Sequence, residues 1–236
     1  MPWGISEATP ADIPTITSIF LSEDESANPF MQLCLGSVNR YAVNMRQSTR
    51  ISEALNDPDT KYMIARDRDS KKTASFAQWQ LPRPPGDAVP EMDADEVEAE
   101  HDAYRKALTP GMNAELCVRF KDEIESLRAR VLKGRSHYLL MNLGTAHWAQ
   151  RKGAATSLVS WPFAIADETN TLVYLDTAID GPGRQLYEKL DFKPVGECSI
   201  DLAQYGGQGC HVHVAMIRYP QGKKDEGVEM PDFGGA

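Results

Sequence analysis

The sequence predicts a mixed α/β (α+β) domain: one central sheet, partly parallel, flanked by helices, with an acidic helical insertion. Three observations predict it. From residue 135 onward, apolar runs of strand length alternate with helix-like segments, the pattern of parallel strands joined by crossover helices. Two strand patterns in the first third are separated only by the turn-like DRDSKK, which implies an antiparallel hairpin. With 236 residues, 42% hydrophobic and 25% charged, the chain is long enough for one sizeable core and has an ordinary globular composition.

Taken in order, WGISEAT (3–9) alternates as a first strand. Thr9 is placed to cap a helix opened by Pro10, with Asp12 near its positive end and Ile13, Ile16, Ile19 and Phe20 as its apolar stripe. SEDESANPF interrupts the pattern before a helical region expected over 31–56, and KYMIARD and ASFAQWQL form the hairpin. LPRPPGD then breaks the chain; EVEAEHDAYRKAL reads as a helix. A longer helix follows from Ala114 to Lys133, where Leu116, Phe120, Ile124, Leu127 and Val131 recur at helical spacing as a core stripe, or as the inner side of a lid. HYLLMNLGT is a strongly apolar strand, and AHWAQRK leads into a helix that Pro162 should bend. TLVYLDTA is a strand, IDGPGRQLYEKL a helix, and DFKPVGECSIDL and CHVHVAMIRYP two terminal strands. The expected organisation is a single domain over 1–219, with the insertion at 82–134 and a loose glycine-rich tail at 220–236.

Charge is unevenly spread. The formal net charge is -9, and eight acids lie in DAVPEMDADEVEAEHD (87–102), which has no Lys or Arg, so the rest is nearly neutral. Such a balance argues against nucleic acid, which selects basic faces. The run reads as a solvated loop or helix face; the sharper alternative is a lip that draws in cationic substrates. No apolar run approaches the roughly 18 residues that span a bilayer, and MPWGISEATP lacks the build of a secretory signal, so a cytoplasmic location and no membrane partner are expected. Cys34, Cys117, Cys198 and Cys210 form no C-x-x-C pair, which suits a reducing compartment, and each is expected to be a buried small hydrophobe. His211 and His213 project to one face of a strand, but two ligands are too few for a metal site, and none is expected. No G-x-S-x-G, G-x-x-x-x-G-K-[ST] or G-x-G-x-x-G motif occurs, so hydrolase, P-loop and dinucleotide chemistries lose support.

The stretch QRKGAATSLVSW, from position 150, sets two basic residues and a glycine at the start of a helix. The first amides of a helix lack partners within it and carry partial positive charge, so an anion is a natural occupant, with Arg151 and Lys152 at the rim and Gly153 allowing close approach. A soluble surface turn is the plainer reading. The surroundings favour the anion. LLMNLGT, the loop Gln150-Arg151-Lys152-Gly153-Ala154-Ala155, VYLDTA and Tyr187-Glu188-Lys189-Leu190-Asp191-Phe192 follow one another in the order and spacing of the central part of the GNAT superfamily of acetyl-CoA-dependent N-acetyltransferases, which this region of about sixty residues resembles. Three positions depart from the usual pattern: Ala155 at the second loop glycine, Asp191 at the glycine before the last phenylalanine, and His147 where proline is common.

That resemblance makes 135–195 an acetyl-CoA-binding core. It implies pantetheine contacts from Leu143, Gly144 and Thr145, in a gap where the central strand splays from its neighbour. Phosphate contacts would come from the loop opened by Gln150, through Arg151, Lys152, Gly153, Ala154, Ala155 and Thr156. It further implies a backbone N–H near Gly144 for the developing oxyanion and Tyr187 as proton donor to the departing thiolate. Relatives often carry a glutamate or histidine base on the central strand, where Leu139 and Met141 stand here. Asp176 is the preferred base, directly or through water, with His137 and Asn142 as the other polar choices. An apolar strand suits an acceptor of low pKa, since deprotonating an amine of pKa about 10.4 at pH 7 costs about 4 to 5 kcal/mol against about 1 for an α-amine. The expected activity is transfer of acetyl from acetyl-CoA to a small-molecule amine by direct attack in a ternary complex. A non-catalytic acyl-CoA sensor and a peptide or protein N-acetyltransferase are the alternatives, and a homodimer is left open.

Overall fold

The computed structural model describes residues 2–22, 29–83 and 93–221; positions 87–92 of the acidic run and the tail from 222 lie outside the described residues. Strand β1 (Trp3–Glu7) pairs antiparallel with β2 (Thr60–Asp67), β2 with β3 (Thr73–Gln80), and β3 with β4 (His137–Thr145). β4 runs parallel to β5 (Leu172–Ala178), and β6 (Lys193–Asp201) and β7 (Cys210–Arg218) complete a seven-stranded sheet of order β1-β2-β3-β4-β5-β7-β6. The mixed α/β fold expected from the alternating second half is therefore observed.

Side-chain alternation along the strands loads both faces with apolar residues. One face carries Trp3, Met63, Trp79, Leu140, Leu175 and Met216 against α6 (Ala154–Val159), α7 (Phe163–Glu168) and α8 (Arg184–Lys189). The other carries Tyr62, Ile64 and Phe76 against α1 (Ile13–Ser22) and α3 (Arg40–Leu55), and Leu139, Tyr174, Ala215 and Ile217 against α5 (Ala114–Leu132). We call these the α6 face and the α5 face. Helix α2 (Pro29–Leu35) closes on α5 through Phe30, Cys34, Leu116 and Cys117, and α4 (Ala94–Ala107) lies beside α5.

Local chemistry explains the boundaries. Asp12 Oδ2 accepts from both the backbone N and the hydroxyl of Thr9 at 2.9 Å, and Arg66 pairs with the same carboxylate, so the chain enters a short 3-10 turn before α1. The helical region expected over 31–56 is two helices. Gly36, at φ +56°, ends the first, and a β-carbon there would meet the Gly111 carbonyl oxygen at 2.6 Å. Pro162 does more than bend its helix: α6 stops at Val159 and α7 starts at Phe163. The described part of the acidic run is an ordered helix, capped where Asp93 accepts from Asp95 N and Glu96 N at 2.9 Å and Glu96 returns to Asp93 N. Ion pairs dock it on α5, Arg105 reaching Glu115, Lys121 reaching Glu100 and His101 reaching Asp122, while Arg105 also reaches Glu98 within the helix.

The cysteines divide. Cys34, Cys117 and Cys198 are buried as expected, but Cys210 is exposed, because it opens β7 next to the turn at Gly209. Among the described residues no helix is long and apolar enough to cross a membrane.

Asp191 explains its own departure from the usual glycine. It sits at φ +68°, where an L-residue costs roughly 1–2 kcal/mol, and its carboxylate is held by Lys193 at 2.8 Å and by Gln221 at 3.2 Å. The cost falls on the backbone and the ion pair is exposed, so Asp191→Gly should raise unfolding free energy by about 1 kcal/mol in urea denaturation, and Asp191→Val should lower it.

Candidate active site

The site begins with a defect in the sheet. β4 and β5 pair only from His137–Leu172 to Leu140–Leu175; Met141 to Thr145 have no register partner on β5. On the other side, Gln78 faces Asn142 while Trp79 faces Leu140, so Met141 is an extra residue, a β-bulge that bends β4 as it leaves β5. Beyond the bulge the strand is drawn toward β3. Ser75 Oγ donates to the Gly144 carbonyl at 2.6 Å, and Ala146 N donates to the Ala74 carbonyl at 2.8 Å. Gly144 permits this approach, since a β-carbon there would lie 2.4 Å from Cε1 of the buried Phe76.

Backbone direction alternates along a strand. With Gly144 and Ala146 turned to β3, Leu143 and Thr145 turn their peptide groups to the opened edge. Of the three strand residues expected at the site, two face the gap and the carbonyl of Gly144 is spent on Ser75.

β4 leads into the loop through a 3-10 turn at His147–Ala149. Arg151 and Gly153 adopt left-handed conformations (φ +58° and +83°), and Arg151, Lys152 and Gly153 are exposed, with open space where a Gly153 side chain would be. Trp3 Nε1 anchors the loop by donating to the Lys152 carbonyl at 2.8 Å. The Ser157 amide bonds back to the Gly153 carbonyl at 3.1 Å, so the amides of Ala154, Ala155 and Thr156 stand at the open end of α6. The loop residues and the opened strand edge thus meet at one end of the sheet.

Tyr187 and Asp176 flank this opening from opposite faces. Tyr187 is buried on the α6 face, in the cluster that holds Leu140 and Leu143, edge-on to Phe192 at 5.9 Å. Gly183 makes room for it: a β-carbon there would lie 2.9 Å from the ring. Asp176 pairs in register with Ala215 and so lies on the α5 face, one residue beyond the last β5 position to pair with β4. Its Oδ2 accepts from Arg128 Nε at 2.8 Å with Nη2 also at 2.8 Å, and its side chain is 11% exposed. Burial pushes this carboxyl upward, but His213 and the Arg128 guanidinium outweigh it and hold it below the usual carboxylate range. A carboxylate stabilised in this way is a weak proton acceptor at neutral pH. The structure thus places Asp176, expected to take the amine's proton directly or through water, in a buried ion pair with Arg128.

The other polar choices also move. His137 hydrogen-bonds the Arg135 carbonyl at 2.8 Å at the start of β4, at the far end from the opening, and burial lowers its pKa. Asn142 donates to Gln78 Oε1 at 2.7 Å, which also accepts from Tyr62 OH at 2.9 Å. This chain floors a cavity of about 400 Å³ on the α5 face, walled by Phe20, Gln47, Arg50 and Glu53. His211 and His213 share the α5 face, as their spacing implies. Phe30 stacks on His211 at 3.7 Å, Phe120 stands edge-on to His213 at 4.9 Å, and burial beside His213 takes His211 down to about 4. Among the described residues no group of three or more His, Cys, Asp or Glu is placed to hold a metal ion.

Sequence reasoning missed Arg128, which lies in a helix read only for its apolar stripe, and the Tyr62–Gln78–Asn142 chain, whose members belong to three strands. The Arg128–Asp176 pair carries a pH signature. Because the folded carboxyl titrates below its unfolded value of about 3.9, its stabilisation is complete above about pH 4 and is lost as pH falls through the lowered folded value. Asp176→Asn should flatten the acid limb of the stability curve, and Arg128→Ala, which strands a buried carboxylate, should cost about 3 kcal/mol in denaturant titrations at pH 7.

No protein-family model matches the chain, and no curated protein sequence matches it. Solved structures do. Arylalkylamine N-acetyltransferase 2 from Aedes aegypti superposes with a TM-score of 0.61 at 10% identity, over 93% of this chain and 99% of that one. A structure described as histone acetyltransferase HPA2 and related acetyltransferase, from Corynebacterium glutamicum, gives 0.58 at 18% identity over 95% and 100%. Arabidopsis thaliana NAA60 in complex with acetyl-CoA gives 0.52 at 12% identity over 92% and 98%. At these identities the likeness speaks to the fold.

Proposed function

The chain has the GNAT fold, and on that premise we propose that it transfers an acetyl group from acetyl-CoA to the amine of a small molecule. The observation that carries this reading is the end of β4–β5 pairing at Leu140 and Leu175, directly before the exposed Arg151-Lys152-Gly153 loop. A diphosphate fits that loop by charge and by backbone: two cationic side chains, a glycine facing open space, and helix-initial amides. The pantetheine arm, an amide chain, fits the edge to which Leu143 and Thr145 turn their peptide groups. With Gly144 directed at Ser75, the N–H of Leu143 takes over the oxyanion role first expected near Gly144. Tyr187 reaches the opening from the α6 face as proton donor to the leaving thiolate.

The acceptor then approaches from the α5 face. A cavity of about 400 Å³ bounded by side chains of α1, α3 and the sheet lies within the range of small-molecule sites, roughly 300–1,000 Å³, and favours a compact amine over a long peptide. The arylalkylamine acetyltransferase among the similar structures is in line with that choice. Four unpaired thiols are in keeping with a cytoplasmic setting.

Calorimetry with acetyl-CoA and a thiol-release assay over a panel of amines and N-terminal peptides test the reading. Acetyl-CoA should bind, and small amines should release thiol. Replacing Arg151 and Lys152 together with glutamate should weaken acetyl-CoA binding at least tenfold, with the loss shrinking in high salt. Tyr187→Phe should keep binding and lower turnover by about 10²-fold or more. Turnover confined to peptides would reassign the acceptor, and binding without turnover on the whole panel would make the chain a sensor.

A further inference from the structure

Three buried polar atoms on the α5 face make no hydrogen bond of good geometry, although Arg128 lies near the first and Asp176 near the last: Tyr174 OH, His211 Nε2 and His213 Nδ1. Leaving such an atom unpaired is costly, so a cluster of them calls for a use. Tyr174 and His213 flank the Arg128–Asp176 pair, and His211 stands beside His213 at 4.8 Å between ring centroids. Tyr174 precedes Asp176 by two residues on β5, and His213 Nδ1 stands 3.8 Å from Asp176 Oδ1. Because Arg128 engages Oδ2, Oδ1 is the oxygen left for the imidazole. The register sets His213 against Ala178 and Asp176 against Ala215, on the face from which the acceptor approaches and one strand from the opening. The His213 side chain keeps 15% of its surface exposed, while Nδ1 is sealed.

We propose that His213 is the group that takes the proton of the acceptor amine, with Asp176 as its positioning residue and Arg128 fixing Asp176. The assignment rests on the acetyltransferase reading. Asp176 on the carboxylate side makes Nδ1 the protonated nitrogen and leaves the Nε2 lone pair for the amine, directly or through one water. His211 is the less suitable ring, since it is stacked on Phe30 and sits two residues along β7 from the imidazole that neighbours Asp176. The charged and titratable groups facing His213 are Asp176 from β5, Arg128 from α5, Cys198 from β6 and His211 on its own strand; Phe120 supplies the apolar wall.

The step balances. An acceptor ammonium gives one proton to Nε2, and the freed nitrogen pair attacks the thioester carbonyl carbon. The C–S bond breaks, the sulfur leaves with its electron pair, and the second amine proton reaches that thiolate by way of Tyr187. His213 returns its proton to solvent. This division also explains how a site whose central strand offers Leu139 and Met141 manages without a base there.

Long-range 1H–15N spectra of the intact chain read the ring directly. The Nδ1-protonated tautomer should dominate His213, and Asp176→Asn should let both tautomers populate. With an amine that turns over, His213→Gln should lower kcat about 10²-fold, abolish the acidic limb of the kcat/KM profile and leave KM for acetyl-CoA unchanged. An Nε2-protonated His213, or an acidic limb intact in His213→Gln, overturns the assignment even if the enzyme is active. Absence of turnover in the unmodified chain is a separate failure, of the acetyltransferase reading, and takes this assignment with it. The spectra of Asp176→Asn keep the test decisive if His213→Gln folds poorly.

Discussion

The parting of β4 from β5 after Leu140 and Leu175 is the constraint on which the rest of the structure depends. An interior strand that abandons its neighbour exposes peptide groups that would otherwise be paired, and such groups are costly when they are also shut away from water. The chain offsets that loss on the opposite edge of the same strand. The Met141 bulge turns β4, the missing side chain of Gly144 lets it close on Phe76, and Ser75 takes the Gly144 carbonyl. The opening is therefore a property of three strands, and it exists because the β3–β4 seam is tight.

The same parting divides the chemistry by face. Above the opening, toward α6, the environment is apolar and aromatic, with Tyr187 seated among Leu140, Leu143 and Phe192. Below it, toward α5, a buried ion pair, two imidazoles and a three-residue amide and phenol chain are gathered. One side is apolar and aromatic, the other polar and titratable. Helix α5 is what makes the lower side distinct, because it brings Arg128 over Asp176 and Phe120 against His213. A helix that reads in sequence as a core stripe with a charged outer face supplies the partner that decides what Asp176 can do.

The fold was legible because it rests on periodicities that survive tertiary context: the strand pattern of HYLLMNLGT and TLVYLDTA, the hairpin turn DRDSKK and the Thr9 cap all appear where residue chemistry places them, while Pro162, expected to bend a helix, divides it. The Gln150–Thr156 loop was visible for the same reason, being contiguous and carrying its own backbone requirement. What stayed hidden depends on register. A bulge at Met141 leaves no mark in an apolar run, yet it decides which residues face the gap and turns Gly144 away from it. The Arg128–Asp176 pair joins residues 48 apart in the chain, and the burial that fixes the state of that carboxylate cannot be read from either residue. Asp191 shows the reverse: a position that looks like a defect in the motif is a left-handed turn that aspartate can still adopt.

Charge placement completes the account. A chain of net charge -9 should repel a polyanion, but screening confines surface fields to about 8–10 Å at physiological ionic strength, so what matters is the charge within that radius. Several cations lie along the edge that anchors the loop: Lys72 stacks over Trp148 at 5.3 Å, Trp148 packs on Trp3, and Trp3 ties down Lys152 and also accepts from Arg68 through its backbone. The described acids of α4 lie across the sheet, on the α5 side, and Glu98, Glu100 and Asp102 among them pair with Arg105, Lys121 and His101. The sheet thus separates a cationic rim, where Arg151 and Lys152 stand, from an acidic helix whose charges serve to dock α4 on α5.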